Sequence, residues 1–275
     1  MIEVKECYLC QISDFDILLN QKYENLHYVK LLNSQLEYLD RKWLRCKNCD
    51  LVHQSPSLTD QEIDKLYKNN RSSDFRNSET PDEYFERITS IPNDKSENYL
   101  RTQRFKKYIS SSAKTILDIG CGGGVFLYTF SKYFKNFKLF GIEASPQFAS
   151  MAKSKFDVKI FNNFFKGDEI NFKPDVITLL HVLEHITNPN LFLKNIHSLM
   201  SSDSLLIIEV PDSKDFETLD KSHLRFSSPH IFFYSLKSAT ILLEKNGFKI
   251  IDSERFLSLR KRNNLCLYVK KGNND

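Results

Sequence analysis

Long apolar runs are missing from this sequence. Nothing in its 275 residues approaches the ~18 consecutive apolar residues of a membrane-spanning helix. The opening Met1-Ile-Glu-Val-Lys-Glu6 is charged and lacks the apolar core of an export signal, so we expect a cytoplasmic protein. A strong charge of one sign is missing too. With 39 basic and 35 acidic residues the net charge is +4, too mild to point to a nucleic-acid partner. The one dense basic cluster, Arg260-Lys261-Arg262, is short and reads as a solvated loop rather than a phosphate-binding patch. Internal repeats and low-complexity segments are absent. What remains, 41% hydrophobic and 27% charged residues, describes a globular chain: one large domain, or a medium one with a small appendage.

Cysteines are few but not scattered. Of the six, four form the pairs Cys7-x-x-Cys10 and Cys46-x-x-Cys49, while Cys121 and Cys266 stand alone. Each C-x-x-C turn offers two thiolates to a tetrahedral Zn²⁺. In a cytoplasmic chain disulfides are disfavoured. Cys7, Cys10, Cys46 and Cys49 are therefore expected to hold a structural zinc, since four thiolates leave no open coordination position for catalysis. This defines a zinc-binding domain over residues 1–55, with enough sequence between the pairs for further strands or a helix. Residues 56–95 read as a linker with one short helix, capped by Thr59 or Asp60, and a polar loop around Arg71 to Thr80.

From about Ser96 onward the pattern alternates strand and helix. Helices are expected over Glu97–Ser110, Val125–Phe134, Pro146–Lys155, Leu191–Met200 and Ser235–Asn246, the last stopped by Gly247. Strands are expected at Thr115–Ile119, Lys138–Glu143, Val158–Phe161, Asp175–Leu180, Ser204–Val210, Phe248–Asp252 and Leu265–Lys270. Alternation of this kind predicts an α/β fold, a Rossmann-like, mostly parallel seven-stranded sheet covered by helices on both faces. No helix separates the last two strands, so they should form an antiparallel hairpin at one edge.

Leu117-Asp-Ile-Gly-Cys-Gly-Gly-Gly124 follows the first of these strands and opens a helix. Ligands in such sheets bind at the C-terminal strand ends, and glycines let the backbone approach them closely. Asp118 precedes the first glycine, where its charge would repel a pyrophosphate but suit a cation. Glu143, about 20 residues on, ends the next strand, where an acid accepts hydrogen bonds from a ribose diol. A nucleoside that also carries positive charge fits both acids, and S-adenosylmethionine is such a ligand. At these residues the sequence resembles the class I S-adenosylmethionine-dependent methyltransferases, over roughly residues 96–275. The resemblance implies cofactor contacts from Asp118, Gly120, Cys121 and Gly122, from Glu143 and Ala144, from Asn162 or Asn163 beside the adenine, and from His181. Cys121 is expected to serve as a small packing residue within the loop.

His181-Val-Leu-Glu-His185 matches H-x-x-E-H, a zinc-peptidase pattern. That pattern needs a long helix carrying both histidines, and here a buried strand ends just before it and Pro189 follows closely. Methyltransferases of the resembled family carry nearly the same string after their fourth strand, which implies that His181 lines the methyl-transfer crevice. Glu184 and His185 would then open a short helix. Related enzymes bind a divalent metal through E-x-x-E-H, but this chain has histidine at the first position, and a hard metal prefers carboxylate oxygen.

On the acceptor side His230, in Pro229-His230-Ile-Phe-Phe-Tyr234, is the leading general-base candidate, with His223 second, and His181 in the crevice completes the catalytic candidates. A zinc knuckle ahead of a methyltransferase core resembles bacterial enzymes of deoxysugar and surface-polysaccharide biosynthesis. That implies a small, sugar-derived acceptor. With the sequence stopping at 275, we do not expect the extra C-terminal domain of the longer C-methyltransferases, and no Asn/Asp-Pro-Pro-Tyr string of amino-methylases acting on DNA follows the fourth strand. Two other readings stand beside it. One is a zinc knuckle that guides methylation of a nucleic acid or protein through Arg41, Lys42, Trp43, Arg45 and Lys47. The other is a non-catalytic S-adenosylmethionine-binding scaffold. With no large lid insertion, the zinc domain, residues 56–95 or a second subunit of a homodimer is expected to complete the acceptor pocket.

Overall fold

A computed structural model describes residues 1–22, 32, 40–69 and 79–272. Two cysteine turns open the chain and are tied to a small antiparallel sheet of β1 (Phe15–Lys22), β2 (Asp40–Cys46) and β3 (Val52–Ser55). Two helices follow, α1 (Asp60–Asn69) and α2 (Pro81–Thr89). Only the first was expected; the second, in what reads as linker, was not. Thr59 and Glu62 exchange side-chain and backbone hydrogen bonds at the first, and Thr80 and Glu83 form a full capping box at the second. Most of the polar loop expected between them lies outside the described residues.

The remainder winds as α3 (Glu97–Lys106), β4 (Thr115–Ile119), α4 (Val125–Tyr133), β5 (Lys138–Ile142), α5 (Pro146–Lys155), β6 (Lys159–Phe161), β7 (Val176–Leu180) and α6 (Pro189–Leu199). It continues through β8 (Leu205–Pro211), α7 (Asp215–Thr218), β9 (Phe232–Phe233), α8 (Leu236–Lys245), β10 (Phe248–Leu257) and β11 (Asn263–Lys271). Seven strands form one sheet in the order β10-β11-β8-β7-β4-β5-β6. The five from β8 to β6 are parallel, and the β10–β11 hairpin runs antiparallel at the edge. The predicted sheet and its edge hairpin are therefore both present.

Side chains alternate across this sheet with the period of two that strands impose. Ile116, Val176, Leu205 and Ile207 join a core layer with Phe105, Phe126 and Phe130 of α3 and α4. Leu117, Ile119, Ile177, Leu179, Leu206 and Ile208 face the other way, onto α6 and α8. Asp118, Thr178 and Glu209 share the parity of the first layer, so three polar side chains enter the face covered by α3.

Three further local features depart from expectation. Helix α3 stops at Lys106 rather than Ser110, because its last turn tightens onto Phe105 and lets Tyr108 stack on Tyr268 with ring centroids 3.5 Å apart. Strands β10 and β11 run to Leu257 and start at Asn263, a longer arm than the apolar residues alone marked. The two-residue strand β9 was not foreseen. It pairs with β3, so the small sheet draws its fourth strand from the far end of the chain. One apolar cluster runs from Cys7, Cys46 and Cys49 through Ile63 and Leu66 of α1 into the layer beneath the large sheet.

Candidate active site

Two cavities meet at the glycine loop. The larger, about 510 Å³, opens over Asp118 and Gly120–Gly123. The smaller, about 360 Å³, lies beside Glu143, Ala144 and Asn163. Gly120, His181, Ser228 and His230 border both. Residues 56–95 contribute to the walls of both. Tyr84, Ile88 and Ile91 close the larger cavity, and Ile63 and Tyr67 of α1 close the smaller.

The loop is built by close backbone approach. Both Gly120 and Cys121 donate their N–H to the carbonyl of Ile142 at the end of β5 (2.8 and 3.0 Å). Gly120 has φ +74°, and a Cβ there would lie 2.6 Å from Cγ2 of Val182. Only glycine lets the loop rest directly on the HVLEH segment. Cys121 borders the larger cavity, but its sulfur packs onto Gly141 of β5.

The two acids flank this loop. Register pairs Asp118 with Thr178 across β4 and β7, and the Thr178 hydroxyl donates to the carboxylate at 2.6 Å. Burial raises Asp118 to about 7, against the opposing pull of that hydrogen bond and of Arg101. Glu143 accepts one backbone N–H on each oxygen, from Gly122 and from Ser145, both at 2.8 Å. The two asparagines separate. Asn162 donates its amide to the carbonyls of Glu143 and Ala144 and ties the strand ends together, while Asn163 borders the smaller cavity.

HVLEH is not a metallopeptidase helix. His181 has φ +58°, and only Leu183–His185 form a single 3₁₀ turn. The His181 ring sits between two buried glutamates, with Nδ1 3.2 Å from Glu184 and Nε2 3.1 Å from Glu209. Burial opposes charge on this ring, but the hydrogen bonds to Glu184 and Glu209 outweigh it and raise its pKa. Glu209 is itself gripped by Arg101, which donates from Nε and Nη2 at 2.9 and 2.7 Å. Burial alone would favour the protonated acid, yet Arg101 and His181 hold Glu209 well below the usual carboxylate range. Arg101 and Glu209 escaped the sequence reading. The available signal was a lone glutamate inside the apolar strand Leu205–Pro211.

The remaining histidines part company. His230 is buried on both cavity walls, its Nδ1 without a hydrogen-bond partner among the described residues. Burial first, then the positive fields of His185 and Arg225, push its pKa well below the ordinary value, so the ring is neutral. His223 instead caps the 3₁₀ helix Leu224–Ser227 by accepting the Arg225 N–H at 3.1 Å, and it borders neither cavity. The second catalytic candidate thus stands apart from both cavities, with Nδ1 taken by the cap.

Comparison with known proteins decides the family. The family model described as "Methyltransferase domain" matches residues 93–253. The chain belongs to this methyltransferase-domain family. It is 30% identical over 153 residues to the (S)-tetrahydroprotoberberine N-methyltransferase of Eschscholzia californica, covering 50% of this chain and 43% of that protein. It is 26% identical over 109 residues to the ubiquinone biosynthesis O-methyltransferase of Coxiella burnetii, covering 38% and 46%. The match thus spans less than half the length of these curated relatives. Among solved structures, the plantazolicin methyltransferase BpumL, crystallised with a triazolic desmethylPZN analog and SAH, superposes with a TM-score of 0.55. That match has 15% identity and covers 77% of this chain and 98% of that one. At that identity the likeness concerns the fold.

Among the described residues, two groups of side chains could hold a metal. Cys7, Cys10, Cys46 and Cys49 converge, with sulfur separations of 3.4 Å (Cys7–Cys49), 3.4 Å (Cys10–Cys46) and 3.8 Å (Cys10–Cys49). Disulfide sulfurs lie at about 2.05 Å. The edge of a tetrahedron with Zn–S of about 2.3 Å is roughly 3.8 Å. The two turns are alike: each bonds back to its first cysteine, and each is followed by a positive-φ residue, Gln11 or Asp50. His53 Nε2 lies 3.3 Å from the Cys7 sulfur, an outer contact the spacing gave no hint of. The second group, Glu184, His185 and His230, brings one ligand atom from each residue within 4.8 Å of the others. Here His185 Nδ1 already lies 3.2 Å from the Pro229 carbonyl and Glu184 already takes His181.

Proposed function

We propose that this protein transfers a methyl group from S-adenosylmethionine to a small, sugar-derived acceptor such as a nucleotide-sugar or glycan precursor of surface polysaccharide. The observation that carries the reading is the pair of buried acids flanking the glycine loop where the two cavities join. The residues fit this cofactor. Burial disfavours the charged form of Asp118, so an ammonium or sulfonium nearby would favour it. Glu143 keeps a free lone pair on each oxygen for a ribose diol after taking its two backbone donors. When bound, the cofactor supplies an electrophilic methyl carbon on a good leaving group.

The chain's own residues supply the rest. The glycine loop and the α2 wall fix position and exclude water, which accounts for most of the catalytic effect expected in such a transfer. His230 is the acceptor-side base: neutral, buried and with Nδ1 uncommitted, it can take a proton from a hydroxyl. His181, with both ring nitrogens between glutamates, acts as a positioning residue that holds Glu184 beneath His230, 4.0 Å from its Nε2. The four thiols form a closed set, so a zinc there would hold β2 and β3 in place and, through β9, the segment that carries His230. Support for a sugar acceptor comes from the layout of a cysteine module ahead of the methyltransferase core.

Calorimetry with S-adenosylhomocysteine (SAH), zinc quantification and a methyl-transfer assay over sugars and nucleotide sugars test this together. Absence of SAH binding would sink the cofactor reading. SAH binding without turnover on any sugar would sink the acceptor class alone.

A further inference from the structure

We infer that the acceptor carries an oxyanion, a phosphate or a carboxylate, held at the mouth of the larger cavity by Arg260, Arg262 and Lys95. This rests on the methyl-transfer reading of that cavity and narrows its substrate.

The short basic cluster that looked like a solvated loop is the tip of the β10–β11 arm. There Ser258 N–H donates to the Arg262 carbonyl (2.9 Å), Lys261 N–H donates to the Ser258 carbonyl (2.8 Å), and Lys261 takes φ +55°. The turn places Arg260 and Arg262, but not Lys261, on the cavity wall. The arm is also docked, since the backbone N–H of Leu259 donates to the Glu97 carboxylate at 2.6 Å.

The charge balance of the wall then has one sense. Arg101 is spent on Glu209 and Arg225 on Asp215, at 2.7 and 2.6 Å. Of the acids that border the cavity, Asp118 lies deep under the glycine loop and Glu97 holds the arm. Lys95, Arg260 and Arg262 have no acidic partner within ion-pair distance among the described residues. Arg262 is the most telling of the three. It is half-buried, and its Nε is shielded from solvent without a hydrogen-bond partner. A desolvated guanidinium beside another guanidinium gains from a planar or tetrahedral oxyanion, which accepts its fork of N–H groups. Burial and the neighbouring Arg260 both disfavour its charge, and an anion would relieve both.

The test uses the full chain saturated with SAH, whose binding is measured first by calorimetry. Failure of SAH to bind would count against the methyl-transfer reading, not against the anion site. Inorganic pyrophosphate and malonate are then titrated separately. Saturable binding of either is expected, weakened at least about tenfold in the Arg260→Gln/Arg262→Gln variant and largely kept in Arg260→Lys/Arg262→Lys. Preference for pyrophosphate marks a phosphorylated acceptor, and preference for malonate a carboxylate. If neither anion saturates, or the glutamine variant binds as well as the parent, the inference is overturned.

Discussion

The four-cysteine module and the glycine-loop cleft solve the same problem, holding several polar side chains together out of water, in opposite ways. In the module the groups are alike and come from two short turns, with every sulfur 3.4–3.8 Å from a neighbour. The Cys49 thiol hydrogen-bonds to Cys7 and lowers it to about 3, and the same contact raises Cys49, so the sulfurs share protons that a cation would replace. In the cleft the groups are of opposite charge and come from four elements. Asp118 hangs from β4, Arg101 from α3, Glu209 from β8 and His181 follows β7. One cluster is a set of like ligands that a shared cation would hold, while the other is held by mutual neutralisation. The first would fail all at once on loss of that cation, and the second fails residue by residue.

The largest effect should come from the module. Cys49→Ser, or chelation of the wild type, is expected to remove one zinc per chain and to lower the unfolding temperature steeply, because a structural zinc contributes on the order of 10 kcal/mol. Metal analysis beside thermal unfolding checks it. A variant that keeps both its zinc and its stability would break the comparison.

Next comes the centre of the cleft. Arg101→Ala leaves the fully buried Glu209 with His181 as its closest remaining partner. A loss of about 3–5 kcal/mol is expected in denaturant unfolding. Double replacement, Arg101→Met with Glu209→Met, should restore much of it, because the cost lies in the uncompensated charge. A third contrast separates the histidines. His230→Ala should lower kcat by about 10²–10⁴ if the acceptor is a hydroxyl. His223→Ala should cost only about 1 kcal/mol of stability, as a lost helix cap, and leave kcat near that of the wild type.

The smallest effect is the pH dependence. With Asp118 raised to about 7, its ionised form grows as pH rises towards that value. SAH affinity should therefore increase by up to about tenfold per unit below pH 7 and level off above it, measured by calorimetry. For the ligand-free protein the sign is opposite. A carboxyl whose folded pKa lies above its unfolded value of 3.8 costs stability progressively as pH climbs from about 4 to about 7. Asp118→Asn should flatten both trends.

How much of this was legible follows from how local each feature is. The strand–helix alternation, the edge hairpin, the cap at Thr59 and the glycine loop were readable because periodicity and turn chemistry act over a few residues. The HVLEH string misled as a motif and was corrected by its own context, a buried strand before it and a proline after. His223 and His230 looked alike in sequence. Their difference, one ring on the walls of both cavities and the other bordering neither, depends on where only folding places them.

The basic tip of the arm shows the same limit. Three consecutive cationic residues carry no information about which side of a turn each will take, so Arg260 and Arg262 could not be told from Lys261. By itself the sequence determined the sheet, its chain order, the cysteine knuckles and the acids beside the glycine loop, because each is encoded within a short window. Tertiary structure decided which charges cancel. Glu209 meets Arg101 across 108 residues, β9 closes the cysteine sheet from the far end of the chain, and α2 walls a cavity whose floor lies on β4. Electrostatic pairing depends on distance in space, and only the packed sheet sets that distance.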